Sequence, residues 1–141
     1  MRRSGPWWPT PTQAAPRPPG DLLVDPGADA RADQPGYDLV LMSYLHLPRT
    51  DWGAALAAAV HATVAGGAVL VVAHAVRNLS EGVGGPQDPT ILLDPEDVVA
   101  SAAELPVGVE LARLRRRDVE GSDRPALDTV VLLRRRGDPP G

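Results

Sequence analysis

The 141-residue chain has no cysteine, no phenylalanine and no lysine, and all fourteen of its basic residues are arginine. The absence of cysteine excludes disulfides, thiolate metal sites and a cysteine nucleophile. The absence of lysine rules out a P-loop, so the glycine-rich Gly82–Pro86 (GVGGP) is not a phosphate cradle. Nor does that segment follow a first strand and open a helix, as the GxGxxG of dinucleotide folds must. No apolar run approaches the roughly 20 residues of a membrane span. Behind Arg2 and Arg3, proline and tryptophan stand where a signal peptide needs an apolar stretch. A net charge of -4 gives no general attraction to nucleic acid or to anionic membranes. The expectation is a cytoplasmic protein without nucleic-acid or membrane partners.

Hydrophobic residues make up 43% of the chain and charged residues 23%, the balance of a globular body with room for one core. Pro6, Pro9, Pro11, Pro16, Pro18 and Pro19 cannot donate to a hydrogen-bond ladder. Residues 1–20 therefore read as a Pro-rich disordered tail. The domain is expected over 21–136, with a second short tail at 137–141. Asp21–Val24 reads as a short strand closed by the turn Asp25-Pro26-Gly27.

The body is organised around Tyr37–His74. Leu39–Met42 and Ala68–Ala73 are apolar runs without polar alternation, the habit of parallel strands covered on both faces. Between them, Trp52, Leu56, Val60 and Val64 recur every four residues as one buried helical stripe. Thr50 or Asp51 is the expected N-cap and Gly66-Gly67 the expected stop. Strand, helix and strand make a right-handed βαβ crossover. Ligands of open α/β sheets bind outside the carboxyl ends of the strands. Here those ends carry Ser43, Tyr44, Leu45 and His46 on one side and His74 on the other.

After His74, residues 75–93 form a long loop rich in glycine and proline, which reads as a lid over that edge with Arg77, Asn78 and Glu81 at its root. Asp94-Pro95-Glu96-Asp97 opens a second helix, reaching about Glu104, with Val98, Val99, Ala102 and Leu105 inward. Two strands follow, Gly108–Arg115 and Ala126–Arg134, and the short link between them implies an antiparallel pair. Arg115–Arg117 and Arg134–Arg136 read as solvated strand ends.

This order resembles the C-terminal half of class I S-adenosylmethionine-dependent methyltransferases, of the bacterial small-molecule type. YDLVLMSYLHLP is similar to that family's fourth strand, and TVAGGAVLVVAH to its helix-PGG-fifth-strand segment with Ala65 in place of the usual proline. LDTVVLLRRR resembles its last strand. The implied fold is α/β: a partial Rossmann-like methyltransferase sheet, with parallel strands four and five plus a C-terminal antiparallel pair. The implied cofactor is S-adenosylmethionine and the implied partner a small-molecule methyl acceptor. By the same resemblance Asp29 (or Asp25), Ala30, Ser43, Tyr44 and Leu45 would contact the cofactor. His46 would be the catalytic base or substrate orienter, and His74, Arg77 and Asn78 would contact substrate. No metal is implied.

The chain departs from the family in lacking the E/DxGxGxG turn, since no GxG occurs before residue 82. A truncated or mis-started methyltransferase with weakened cofactor binding is therefore expected. The missing strands would leave an open apolar edge, which another copy or a complete subunit can pair with. That gives a non-catalytic interaction subunit as the alternative. A metal hydrolase built from His46, His74 and Glu81 or Asp88 is a third reading, without recognisable ligand spacing.

Overall fold

The computed structural model of the protein describes residues 36–137. The expected tail at 1–20, all but Gly137 of that at 137–141, the strand at Asp21–Val24, and Asp25, Asp29 and Ala30 lie outside the described residues. In chain order the elements are β1 (Tyr37–Ser43), α1 (Arg49–Ala62), β2 (Thr63–His74), α2 (Asn78–Glu81), a 3-10 turn (Pro89–Ile91), α3 (Pro95–Ser101), β3 (Val107–Arg117) and β4 (Ala126–Arg135). They build one four-stranded sheet in the order β1-β2-β4-β3. β1 and β2 are parallel, and β4 runs antiparallel to both β2 and β3. The βαβ crossover and the C-terminal antiparallel pair thus stand as the sequence implies. The fold is α/β, a partial Rossmann-like sheet.

α1 lays its stripe on the sheet. Trp52, Leu56 and Val60 are buried to 1% exposure or less, against Met42, Val69, Val71, Val131 and Leu133. Its start is Arg49, not Thr50 or Asp51. The Pro48 carbonyl accepts from Trp52 N–H at 2.9 Å, and no side chain caps the end. Asp51 sits instead in the first turn, where the helix dipole favours an acid. α3 adds Val98 and, in the turn that follows it, Ala102 to the same core. It closes at Ser101, earlier than Glu104, and a capping box between Asp94 and Asp97 holds its start.

The C-terminal end of α1 differs from expectation. The helix stops at Ala62, four residues before Gly66-Gly67. Thr63 and Val64 are β-branched and turn extended, with the Thr63 hydroxyl donating to the Ala59 carbonyl at 2.8 Å. The last carbonyls, of Val60, His61 and Thr63, accept from the Arg135 guanidinium, which reaches them from the far end of the chain. Gly66 (φ 80°) and Gly67 lie inside β2 at a widening, where the ladder steps from Tyr37↔Thr63 to Leu39↔Ala68. A side chain on Gly67 would strike Thr63 and the Asp38 carbonyl, so the widening needs glycine there.

Among the described residues, cover on both faces does not hold. α1 and α3 pack on the face formed by Val40, Met42, Val69, Val71, Val131 and Leu133. The register puts Leu39, Leu41, Leu70, Val72, Val130 and Leu132 on the opposite face. Tyr37, Leu39 and Leu41 are 57–58% exposed, and the central residues of that face are half-buried. The apolar run read as doubly covered is apolar on a face that neither helix touches.

Candidate active site

Three chain segments meet at the carboxyl ends of β1 and β2. β1 ends at Ser43, and Tyr44 then adopts the left-handed conformation (φ 50°), uncommon for a large side chain, while its N–H donates to Val72 O at 2.8 Å. This bend turns the Tyr44 ring toward His74 at the end of β2, with centroids 4.7 Å apart. His46, two residues on, stacks on His74 at 5.4 Å and 23°. The two histidines expected to converge on this edge do converge.

Behind them stands a residue the sequence reading passed over. Asp128, buried in β4 and paired in register with His74, gathers the cluster. Its Oδ2 accepts from the Tyr44 hydroxyl at 2.9 Å and from Arg117 Nε at 2.8 Å. Its Oδ1 takes a longer 3.5 Å bond from Arg117 Nη2 and lies 3.7 Å from His74 Nδ1. That Nδ1 is buried without a hydrogen-bond partner.

Burial raises the Tyr44 hydroxyl above its ordinary range and Asp128 reinforces the effect, so the phenol stays a neutral donor. The hydrogen bond to Asp128 raises the Arg117 guanidinium. His74 is lowered, chiefly by burial, with His46 and Arg117 adding to the effect and Asp128 opposing it. A neutral imidazole at neutral pH follows.

The loop after His74 is pinned at both ends. The buried Asn78 accepts from Leu127 N–H through Oδ1 and donates to Gly84 O through Nδ2, each at 2.8 Å. Gly85 (φ 75°) lies close to the His74 ring, where a Cβ would stand 3.1 Å from Nδ1. Asp88 caps the 3-10 turn through Thr90, and Leu92 and Leu93 return the chain to the core. The segment behaves as a packed cover over His74.

The remaining expected residues take different places. Arg77 faces Asp94 and Glu96 at the start of α3. The Asn78 amide is taken up by the cover itself. Leu45 packs against the core, and Ser43 is exposed. His61 is exposed on α1, far along the chain from this edge. Among the described residues, no group of three or more His, Cys, Asp or Glu is arranged to hold a metal ion, which leaves the hydrolase reading without its ligands. No helix among them is long and apolar enough to cross a membrane.

The sequence signal for Asp128 was present: it is the one charged residue inside the apolar run Leu127–Leu133. Arg117 carried no such mark within its triplet.

The sheet order, the crossover and the antiparallel close define a methyltransferase-like α/β fold. No protein-family model matches the chain, and no curated protein sequence does. Among solved structures it is similar to a SAM-dependent methyltransferase from Methanosarcina mazei, at 9% identity and a TM-score of 0.54 over 73% of this chain and 61% of that one. A second similar structure comes from the conversion of a disulfide bond into a thioacetal group during echinomycin biosynthesis, at 17% identity and a TM-score of 0.50 over 71% and 49%. The chain spans less than two thirds of either protein.

The described residues do not make a complete fit for S-adenosylmethionine. Ser43 is exposed at the end of β1, and the Tyr44 hydroxyl is already bound to Asp128. The glycines at 82, 84 and 85 serve the cover over His74 and not a turn opening on a helix. No cradle for the methionine and ribose groups is present among these residues.

Proposed function

We propose that the chain is the acceptor-side part of a cytoplasmic S-adenosylmethionine-dependent methyltransferase acting on a small molecule. One observation carries this reading: Tyr44, His46 and His74 gather at the carboxyl ends of two neighbouring parallel strands, where open α/β sheets take their ligands. In this reading Ser43, Tyr44 and Leu45 border the cofactor together with Asp29 and Ala30, and His46 and His74 face the methyl acceptor. Arg77 and Asn78 act on substrate through the cover they anchor. The residues that grip the cofactor in the family are missing from the sequence, so its binding is expected to be weak. Thermal shift with S-adenosylmethionine and S-adenosylhomocysteine tests this. A saturable rise in melting temperature supports the reading, and a flat response up to millimolar ligand overturns it.

A second reading rests on the exposed Tyr37, Leu39 and Leu41 along β1, which among the described residues is an edge strand with no charge or proline on that face. Two copies related by a twofold axis at Val40 would set Leu39 of one opposite Leu41 of the other and continue the sheet across the pair. Here the chain is a non-catalytic interaction subunit. Light scattering coupled to size exclusion decides it: a monomer at high micromolar concentration sinks this alternative.

A further inference from the structure

We propose that His74, positioned by Asp128, is the proton-accepting residue of this edge, serving a ligand that presents an O–H, N–H or S–H group. The inference deepens the methyltransferase reading by naming the class of acceptor, and it rests on that reading for the ligand's identity but not for the proton chemistry.

The geometry singles out His74 over His46. Asp128 is buried in the interior strand β4, held between β2 and β3, so its carboxylate is fixed by two ladders. Two short donor bonds, from Tyr44 and Arg117, occupy Oδ2. Oδ1 carries only the long bond from Arg117 and faces the buried, unpartnered Nδ1 of His74. A carboxylate behind Nδ1 keeps the ring's resting proton there and leaves the lone pair on Nε2. His46 is exposed and has no carboxylate within ion-pair distance among the described residues; it stacks on His74 and shields it. Gly85 packs against the ring near Nδ1, and both Nδ1 and Asp128 are buried.

Among the described residues, each charged or titratable group that acts on His74 has a part. Asp128 from β4 stabilises the imidazolium, Arg117 from β3 moderates that carboxylate, and His46 and Tyr44 from the end of β1 frame the ring. Burial keeps the ring neutral at rest and ready to accept. In the step itself the ligand's X–H bond breaks, the electron pair stays on X, and the proton goes to Nε2. The new positive charge is delocalised over a ring that faces Asp128. No electron changes hands, and no metal takes part.

The test is the tautomer of His74 in the full-length chain, read by long-range ¹H–¹⁵N correlation on ¹⁵N-histidine-labelled protein, with His46→Asn and His61→Asn used for assignment. The expected result is a protonated Nδ1 and an unprotonated Nε2 at pH 7.5. Asp128→Asn should lower the His74 titration midpoint. Arg117→Gln, a change at a half-exposed side chain that keeps the carboxylate, should raise it and serves if Asp128→Asn fails to fold. An Nε2–H tautomer in the parent chain, or midpoints unmoved in every folded variant, overturns the proposal. These readouts need no cofactor. The expected tautomer without S-adenosylhomocysteine binding keeps the proton acceptor and discards the methyltransferase, and cofactor binding with the Nε2–H tautomer does the reverse.

Discussion

The two faces of this sheet are built from the same strands and nearly the same residue types, yet they do different things. Along β4, Leu127, Thr129, Val131 and Leu133 alternate with Asp128, Val130, Leu132 and Arg134. The first set is buried, Val131 and Leu133 in the core shared with α1 and α3 and Leu127 and Thr129 beneath the segment that follows His74. The second set begins with the acid that organises the histidine edge and continues as a bare apolar surface to a surface ion pair between Arg134 and Glu110. Val130 and Val131 are chemically identical, and only the cover distinguishes them. Packing is concentrated on one face and the histidine–carboxylate cluster at a corner of the other.

Substitutions can break that contrast. The largest effect belongs to the covered face: Trp52→Ala is expected to cost about 4 kcal/mol of unfolding free energy, as large-to-small changes of fully buried aromatics do. Leu41→Ala on the bare face should stay within about 0.5 kcal/mol. Paired urea titrations measure both, and a Leu41 cost approaching that of Trp52 would mean that something covers the second face.

Next comes Asn78→Ala, expected to lose about 2 kcal/mol, because it strands the Leu127 N–H in a buried place and frees the Gly84 carbonyl. Hydrogen exchange should show faster opening of residues 82–86 in that variant, while α1 stays protected. Equal acceleration in both would show that the cover and the core are one cooperative unit.

A smaller effect is expected with pH. His74 is lowered in the fold, so the unfolded chain binds its proton first as pH falls through about 6.5, the ordinary histidine value. Stability therefore declines as pH falls from there to the lower folded-state midpoint, and is flat above about 6.5. Denaturant midpoints between pH 7.5 and 5.5 should show this slope, and His74→Gln should remove it. The smallest expected change in stability is that of Leu41→Arg. Its use is hydrodynamic: if β1 pairs with a second copy, this variant should be monomeric where the parent is not.

Much of the fold was legible because its signals are local. The apolar runs at Leu39–Met42 and Ala68–Ala73 and the spacing of Trp52, Leu56 and Val60 each settle an element from within. The short link between β3 and β4 required an antiparallel pair. The end of α1 was not legible, because the group that satisfies its carbonyls is Arg135, more than seventy residues away. The bare face was missed because an apolar run records what a strand can bury, not whether anything arrives to bury it. At the site, His46 and His74 were visible as residues that follow strands. Asp128 and Arg117 join them only through the antiparallel register of β4, which no spacing in the sequence encodes.

The position of β4 has a consequence for how the chain is made. It is the last strand to be synthesised, yet it sits between β2 and β3. Until residue 135 has left the ribosome, β2 and β3 have no strand to join them, and the final carbonyls of α1 wait for the guanidinium that closes them. At roughly 5–20 residues per second, the nascent chain holds two unpaired strand edges for several seconds. The sheet thus closes only once the ten residues of β4 are available, and a ribosome stalled before Ala126 would leave β2 and β3 open to chaperones.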